Sequence, residues 1–166
     1  MNGKSIAGFL VLTAAVAGAV LWYTSNHAFY NELPQQRMIE LGGQAHPIEG
    51  FEGIDATSSP IKLRACFRIQ GDISKDFPSR DDAIPLVAPP WFECFDAERI
   101  HQDLRADRAR ALIANTNTPF GFDRYVAIYP DGRGYMWRQM NECGKRHFDG
   151  KQMPEGCPSP NGAITK

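Results

Sequence analysis

Hydrophobic residues dominate the start of the chain, in a run from Ile6 to Tyr23 that contains no charged residue and follows Lys4. A helix rises about 1.5 Å per residue, so a run of roughly 18 residues is about 27 Å long. The hydrocarbon core of a bilayer is about 30 Å thick. Trp22 and Tyr23 end the run, and such rings favour the membrane–water boundary. The pattern predicts an N-terminal transmembrane anchor helix over residues 1–31.

A cleavable signal peptide is the alternative for the same residues. Lys4 would then be its positive region, and Ala17-Gly18-Ala19 would be its cleavage site. The apolar run continues past Ala19 to Tyr23, which favours a retained anchor. In both cases the rest of the chain leaves the cytoplasm. Lys4 precedes the run and Arg37 is the first Lys or Arg after it, so the positive-inside rule keeps the amino terminus inside.

Small residues are frequent in this run, and two pairs of them lie four positions apart. Ala14 pairs with Gly18 and Ala15 with Ala19, so all four lie on one face of the predicted helix. Such faces let two helix backbones approach closely in lipid. They predict packing against a partner membrane helix. The alternative is that the face meets only lipid, because Ala and Gly are common in membrane spans.

The polar and apolar pattern changes after the anchor. Proline and glycine punctuate residues 32–59, which predicts a juxtamembrane linker. Residues 61–69 alternate between apolar and mostly basic positions, as in a half-buried strand. Residues 125–129 and 135–139 are two more strand-like runs, and the connection between them contains Asp-Gly. Such a connection predicts a β-hairpin.

One short helix and one further strand complete the pattern. Asp96 is well placed to cap an amphipathic helix that ends near Ala106. Residues 108–115 fit a helix or a strand, and their alternation favours a strand. The predicted fold is α+β: an N-terminal transmembrane helix, then a small disulfide-stapled domain (residues 60–158) with an antiparallel sheet of about four strands and one short helix. Residues 159–166 are expected to form a flexible tail.

Four cysteines lie in the predicted domain: Cys66, Cys94, Cys143 and Cys157. In a small exported domain, four thiols predict two structural disulfides. Three pairings are possible, and we favour Cys66–Cys94 with Cys143–Cys157 because sequence neighbours close shorter loops. Zinc is the alternative, but the chain has no C-x-x-C knuckle. The same absence argues against a thioredoxin-like or c-type haem site.

The remaining composition argues against most chemical roles. The formal net charge of −1, with acidic and basic residues interspersed, gives no electrostatic case for nucleic acid. No dinucleotide fingerprint, Walker motif or serine-hydrolase elbow occurs. Cys143 and His147 would form a nucleophile–base pair on a helix, but Gly144 is expected to break that helix. We therefore expect a non-enzymatic protein with no cofactor and no metal.

Several segments resemble one known family: residues 1–4, 55–67, 91–98, 130–137 and 148–158. The chain resembles uncharacterised alphaproteobacterial single-span membrane proteins over nearly its whole length. That family has no named activity, so the resemblance implies architecture and envelope location only. Members are sometimes labelled histidine kinase. This chain lacks the ATP-binding glycine boxes and the length that a kinase core needs.

Together these features predict a single-pass protein of the bacterial inner membrane with its C-terminal domain in the periplasm. We expect a non-enzymatic accessory or assembly protein whose helix docks onto a larger inner-membrane complex, with respiratory or photosynthetic machinery as a natural host. The alternative is a periplasmic sensor, or a ligand- or peptide-binding module that uses residues 61–69 as an exposed strand edge. A weaker alternative is an exported enzyme with a site around Cys143 and His147.

Overall fold

The computed structural model describes residues 3–71, 73 and 77–160. Three α-helices lie in these residues: α1 (Gly3–Asn26), α2 (Ala97–Arg105) and α3 (Glu142–Phe148). The strands are β1 (Asn31–Glu32), β2 (Met38–Leu41), β3 (Gln44–Asp55), β4 (Arg64–Ile69), β5 (Arg110–Asn115), β6 (Phe122–Ile128) and β7 (Arg133–Met140). A 3-10 turn, Pro60–Lys62, precedes β4.

All seven strands of the described residues join one antiparallel sheet, in the order β1-β3-β4-β7-β6-β5, with β2 paired to β3. The long strand β3 shifts its register against β4 between Glu49 and Glu52. Such an irregularity bends a strand. The first half of β3 is paired with β2 and places β2 in contact with β5. The sheet therefore curls around one of its own faces.

Two apolar clusters occupy the two faces of the sheet. The enclosed face holds aliphatic residues and phenylalanines, including Leu41, Phe51 and Val126. The other face holds Trp137 and Tyr125, and α2 and the loop before it cover this face. Trp137 is fully buried and stacks on Tyr125 with ring centroids 5.9 Å apart. The domain thus has a core on each side of its sheet.

The predicted fold class is confirmed. An apolar helix is followed by an antiparallel sheet with a short helix, and the cysteines pair as Cys66–Cys94 and Cys143–Cys157. The first bond holds the loop before α2 against β4. The second ties α3 to the segment that follows it. The Asp96 side chain caps α2 by accepting the Arg99 N–H at 3.0 Å.

The prediction of a linker over residues 32–59 is wrong. Strands β2 and β3 lie in this segment, so the domain starts before residue 60. Gly42 and Gly43 do not break the structure but form the turn between these strands, where both have positive φ. The predicted anchor 1–31 also extends too far, because α1 ends at Asn26 and β1 begins at Asn31. Most of the predicted tail, residues 161–166, lies outside the described residues.

Two further expectations need correction. The predicted strand 61–69 begins only at Arg64, because Pro60–Lys62 form the 3-10 turn. Its strand β4 is paired on both sides, to β3 and β7, so it offers no free edge to a peptide. The structure also adds helix α3, which the sequence did not predict. Asn141 begins it by accepting the Gly144 N–H at 2.9 Å.

Candidate membrane anchor and its junction with the domain

Helix α1 is long and apolar enough to cross a membrane, with a mean hydropathy of 2.1, and none of that stretch is buried against the rest of the chain. Three of its polar side chains, those of Thr13, Thr24 and Asn26, bond to carbonyls within the helix. The Thr13 hydroxyl donates to the Phe9 carbonyl at 2.8 Å and the Thr24 hydroxyl to the Val20 carbonyl at 2.9 Å. Internal satisfaction of this kind is what a lipid environment requires. Length and composition fit a membrane span or a signal anchor.

The small residues predicted to pack against a partner lie on this helix. Ala14, Ala15, Gly18 and Ala19 are all exposed. A methyl group built on Gly18 would meet no atom within 4 Å among the described residues. The structure therefore places these four residues together on α1, at a face that the described part of the chain leaves uncovered. A second helix backbone can approach such a face closely.

The end of α1 is joined to the domain by Trp91. The indole N–H of Trp91 donates to the main-chain carbonyl of Asn26 at 2.5 Å. Carbonyls in the last turn of a helix have no partner within the helix, so this bond satisfies one of them. The Trp91 ring also stacks on His27 at 5.9 Å and meets Tyr30 edge-on at 5.8 Å. Three aromatic rings thus hold the helix against the loop that precedes α2.

Lys62 adds a cation to this junction. Its ammonium lies 4.8 Å from the ring centre of Tyr30 and 5.6 Å from that of Phe29. A cation over an aromatic face is attracted by the ring quadrupole. Lys62 belongs to the 3-10 turn that leads into β4. The segment after α1 is therefore held from two sides, by Trp91 and by Lys62.

Arg64 connects the two segments that carry Trp91 and Lys62. It is 4% exposed, and its guanidinium donates to four main-chain carbonyls: Leu86 at 2.6 Å, Ile61 at 2.7 Å, Leu63 at 2.5 Å and Val87 at 3.0 Å. Burial lowers the pKa of Arg64 to about 10, so it stays charged at neutral pH. One buried cation thereby joins the 3-10 turn to the loop that carries Trp91. The Cys66–Cys94 bond, two residues along β4, holds the same loop.

Two other polar clusters each contain a buried tyrosine, and both are internally paired. Asp103 accepts from the Tyr129 hydroxyl at 2.7 Å and from Arg108 at 2.6 Å. These hydrogen bonds lower the pKa of Asp103, while burial raises that of Tyr129. Tyr125 donates to Asp82 at 3.2 Å, and burial raises its pKa to about 12. A phenol held neutral against a paired carboxylate is poorly suited to proton transfer near pH 7.

The pair Cys143 and His147 does lie on one helix, α3, contrary to the expectation that Gly144 would break it. Gly144 is required there, because a methyl group at this position would collide with the carbonyl oxygen of Gly121. Cys143 is bonded to Cys157, so it has no free thiol to act as a nucleophile. No group of three potential metal ligands occurs among the residues that the structure describes.

Sequence reasoning found the apolar helix, its small residues and both disulfides, but it missed the junction. In the sequence, Trp91 falls only within a segment that resembles the family, and Lys62 and Arg64 only within the alternating residues 61–69. Their partners lie far away in sequence, with 65 positions between Asn26 and Trp91. The two adjacent prolines before Trp91 were the available signal, since they indicate a fixed loop.

One protein family, described as a family of unknown function (DUF6446), matches residues 36–158. The match spans the chain from the segment before β2 to the second disulfide and includes all four cysteines. No curated protein and no solved structure matches the chain.

Proposed function

Since the chain belongs to DUF6446, a family of unknown function, we propose its role from its own structure. It is a non-enzymatic accessory or assembly protein of a larger inner-membrane complex, anchored by α1. The observation that carries this proposal is the helix itself, which is exposed over residues 3–23 and bears Ala14, Ala15, Gly18 and Ala19 on one face. A face of small residues gives a membrane helix the means to dock on another.

The two disulfides support a periplasmic location for the domain. Disulfides persist in oxidising compartments and are rare in the cytosol. Lys4 at the amino-terminal end of α1 favours an orientation with that end in the cytoplasm. We therefore propose a single-pass protein of the bacterial inner membrane, from an alphaproteobacterium, with its domain outside the cytoplasm.

The junction supports an assembly role rather than a simple tether. Trp91, His27 and Tyr30 hold α1 against the domain, so a partner that binds the helix also sets the orientation of the sheet. A flexible linker would transmit no such orientation. Respiratory or photosynthetic complexes are the hosts that we propose, because they are large assemblies of this membrane.

The test is purification of the tagged full-length protein from its native membranes in mild detergent, followed by mass spectrometry of the bound proteins. The double variant Ala14→Leu/Gly18→Leu fills the small-residue face. We expect the amount of partner protein that co-purifies with it to fall at least tenfold. Val16→Leu/Val20→Leu is the matched control, because two positions along a helix lie on nearly the opposite side. Equal recovery of bound proteins with both variants would refute docking through this face.

A periplasmic sensor or ligand-binding module is the second candidate, and a pair of arginines favours it. Arg124 and Arg138 are cross-strand neighbours on β6 and β7. Asp55 pairs with Arg138 at 2.7 Å, whereas Arg124 donates to the Asn115 amide oxygen at 3.2 Å. Burial and then the charge of Arg138 lower the pKa of Arg124. A cavity of about 400 Å³, lined by Asp55, Pro119 and Arg138 among others, opens beside Arg138.

This arrangement suits a small anion, which would balance the second arginine. Inorganic phosphate and acetate are the probes, compared with chloride at equal ionic strength. We expect either probe to raise the unfolding temperature of the full-length protein in detergent, and Arg124→Gln to abolish the rise. An identical response of wild type and variant would exclude the site.

A further inference from the structure

The domain exposes apolar side chains around the end of α1. We call Phe29, Ile61, Lys62, Val87 and Trp91 the juxtamembrane face. Its four apolar members are all exposed, and Val87 is 81% exposed, more than any other large apolar residue in the described part of the chain. Residues of this kind are costly in water when they lie together. Their grouping at one end of the domain therefore indicates that another molecule or surface covers them.

Specific contacts bring the members of this face together. Trp91 is bonded to Asn26 at the end of α1, and Lys62 lies over the Phe29 ring. The buried guanidinium of Arg64 binds the carbonyls of both Ile61 and Val87. The Val87 carbonyl bonds to Arg64, and the Val87 side chain is exposed to solvent. The face is thus built into the fold and continuous with the anchor helix.

The position of α1 in the bilayer determines how deep the juxtamembrane face lies relative to the lipid headgroups. The apolar run of α1 ends at Tyr23, and Asn26 lies about 4.5 Å further along the axis. The polar layer on each side of the hydrocarbon core is about 5–7 Å thick. Trp91, bonded to Asn26, is therefore level with the lipid headgroups when α1 spans the bilayer. Tryptophan, tyrosine and lysine side chains favour this layer.

We infer that the domain lies directly on the bilayer through the juxtamembrane face, with the phospholipid headgroup layer as its occupant. Val87 and Ile61 insert beside Trp91, while the Lys62 ammonium lies at phosphate level. This inference rests on the anchoring of α1 proposed above but not on any protein partner. It adds that the orientation of the sheet relative to the membrane is set by the domain's own contacts with lipid.

Photocrosslinking of the full-length protein in nanodiscs of phosphatidylcholine and phosphatidylglycerol tests the inference. Photoreactive p-benzoylphenylalanine is placed in turn at Val87, Met38 and Leu12. Met38 is the matched control, since it is 48% exposed and pairs with Pro47 at the far end of β3. Pro47 lies roughly 26 Å along that strand from Asp55, at about 3.3 Å per residue. Leu12 reports on the anchor itself.

We expect lipid adducts at Leu12 and Val87, and at least tenfold fewer at Met38. Adducts at Leu12 but no more at Val87 than at Met38 would overturn the inference and leave the anchor intact. Absence of adducts at Leu12 would refute both. The same three proteins are irradiated in native membranes, where a protein adduct at Val87 in place of lipid would also overturn it. The intact mass of each variant under non-reducing conditions checks that both disulfides have formed.

Discussion

Trp91 donates its indole N–H to the carbonyl oxygen of Asn26 at 2.5 Å, across 65 positions of the chain. This bond joins the last turn of the apolar helix to a loop that Arg64 and a disulfide hold against the sheet. The end of α1 is therefore rigidly connected to the domain. The account of this protein as an anchored assembly factor depends on that rigidity.

Trp91→Ala should loosen the junction. The lost hydrogen bond and ring contacts are worth about 1.5 kcal/mol together, or roughly a tenfold change in local opening. We expect chymotrypsin to cleave after Phe29 or Tyr30 about tenfold faster in detergent-solubilised protein. Trp91→Phe keeps a ring and should lie between. Phe148→Ala removes an exposed ring elsewhere and should behave as wild type; cleavage rates that do not separate these variants would count against the junction.

Arg64→Met should destabilise the domain strongly. It leaves four carbonyl groups without their donor, and we expect the free energy of unfolding in urea to fall by about 3 kcal/mol or more. Arg64→Lys keeps the charge but cannot reach all four acceptors, so about half that loss is expected. Arg68→Met lies on the same strand and is exposed, so it should change stability by less than about 0.5 kcal/mol. Similar losses for Arg64→Met and Arg68→Met would show that the buried cation does not organise the loop.

Asp103 gives the domain a defined response to acid. Hydrogen bonds from Tyr129 and Arg108 lower its pKa below the ordinary value of 3.8. A carboxyl whose folded pKa is lowered contributes stability above that ordinary value and loses it as pH falls through the folded value. Asp103→Asn should therefore cost about 2 kcal/mol of unfolding free energy at pH 7, the size of a charged hydrogen bond.

As pH falls from about 4 through the lowered folded pKa of Asp103, the difference between Asp103→Asn and wild type should shrink, because the carboxyl is protonated first in the unfolded and then in the folded wild type. Urea unfolding between pH 7 and pH 2.5 measures it. Asp81→Asn, in an exposed loop, is the control and should follow wild type throughout. A deficit for Asp103→Asn that stays constant over this range would exclude the electrostatic explanation.

Gly144→Ala should reverse the usual effect of this substitution. In an exposed helix, replacing Gly by Ala adds about 1 kcal/mol of stability. Here the added methyl collides with the backbone of Gly121, so we expect a loss of about 1–3 kcal/mol. Lys145→Ala, next to it on α3 and exposed, should be nearly neutral. Thermal or urea unfolding decides the sign, and a stabilised Gly144→Ala would show that α3 is not packed on Gly121.

Local patterns were enough for much of this fold. Alternation predicted β4 to β7, Asp96 marked the start of α2, and loop length favoured the observed disulfides. Strand β3 was missed because its glycines and Pro47 are typical of loops, whereas its pairing with β4 depends on residues further along the chain. Helix α3 was missed because the reason for Gly144 is Gly121, a contact made only in the folded domain.

The candidate site likewise has one part that the sequence predicts and one part that it does not. The small-residue face of α1 is a local pattern with a period of four, so the sequence was sufficient to predict it. The juxtamembrane face is built from three separate segments that Arg64 and Trp91 bring together. Since each segment alone reads as ordinary loop or strand, only the folded chain reveals it.

The most direct test of the central claim is affinity purification of the full-length protein from native membranes in mild detergent, with intact mass spectrometry of the protein and of everything bound. We expect a stoichiometric complex with other membrane proteins and a mass that retains residues 1–19. A protein recovered alone, or one shortened to begin at Val20, would contradict the account and leave a free periplasmic binding domain.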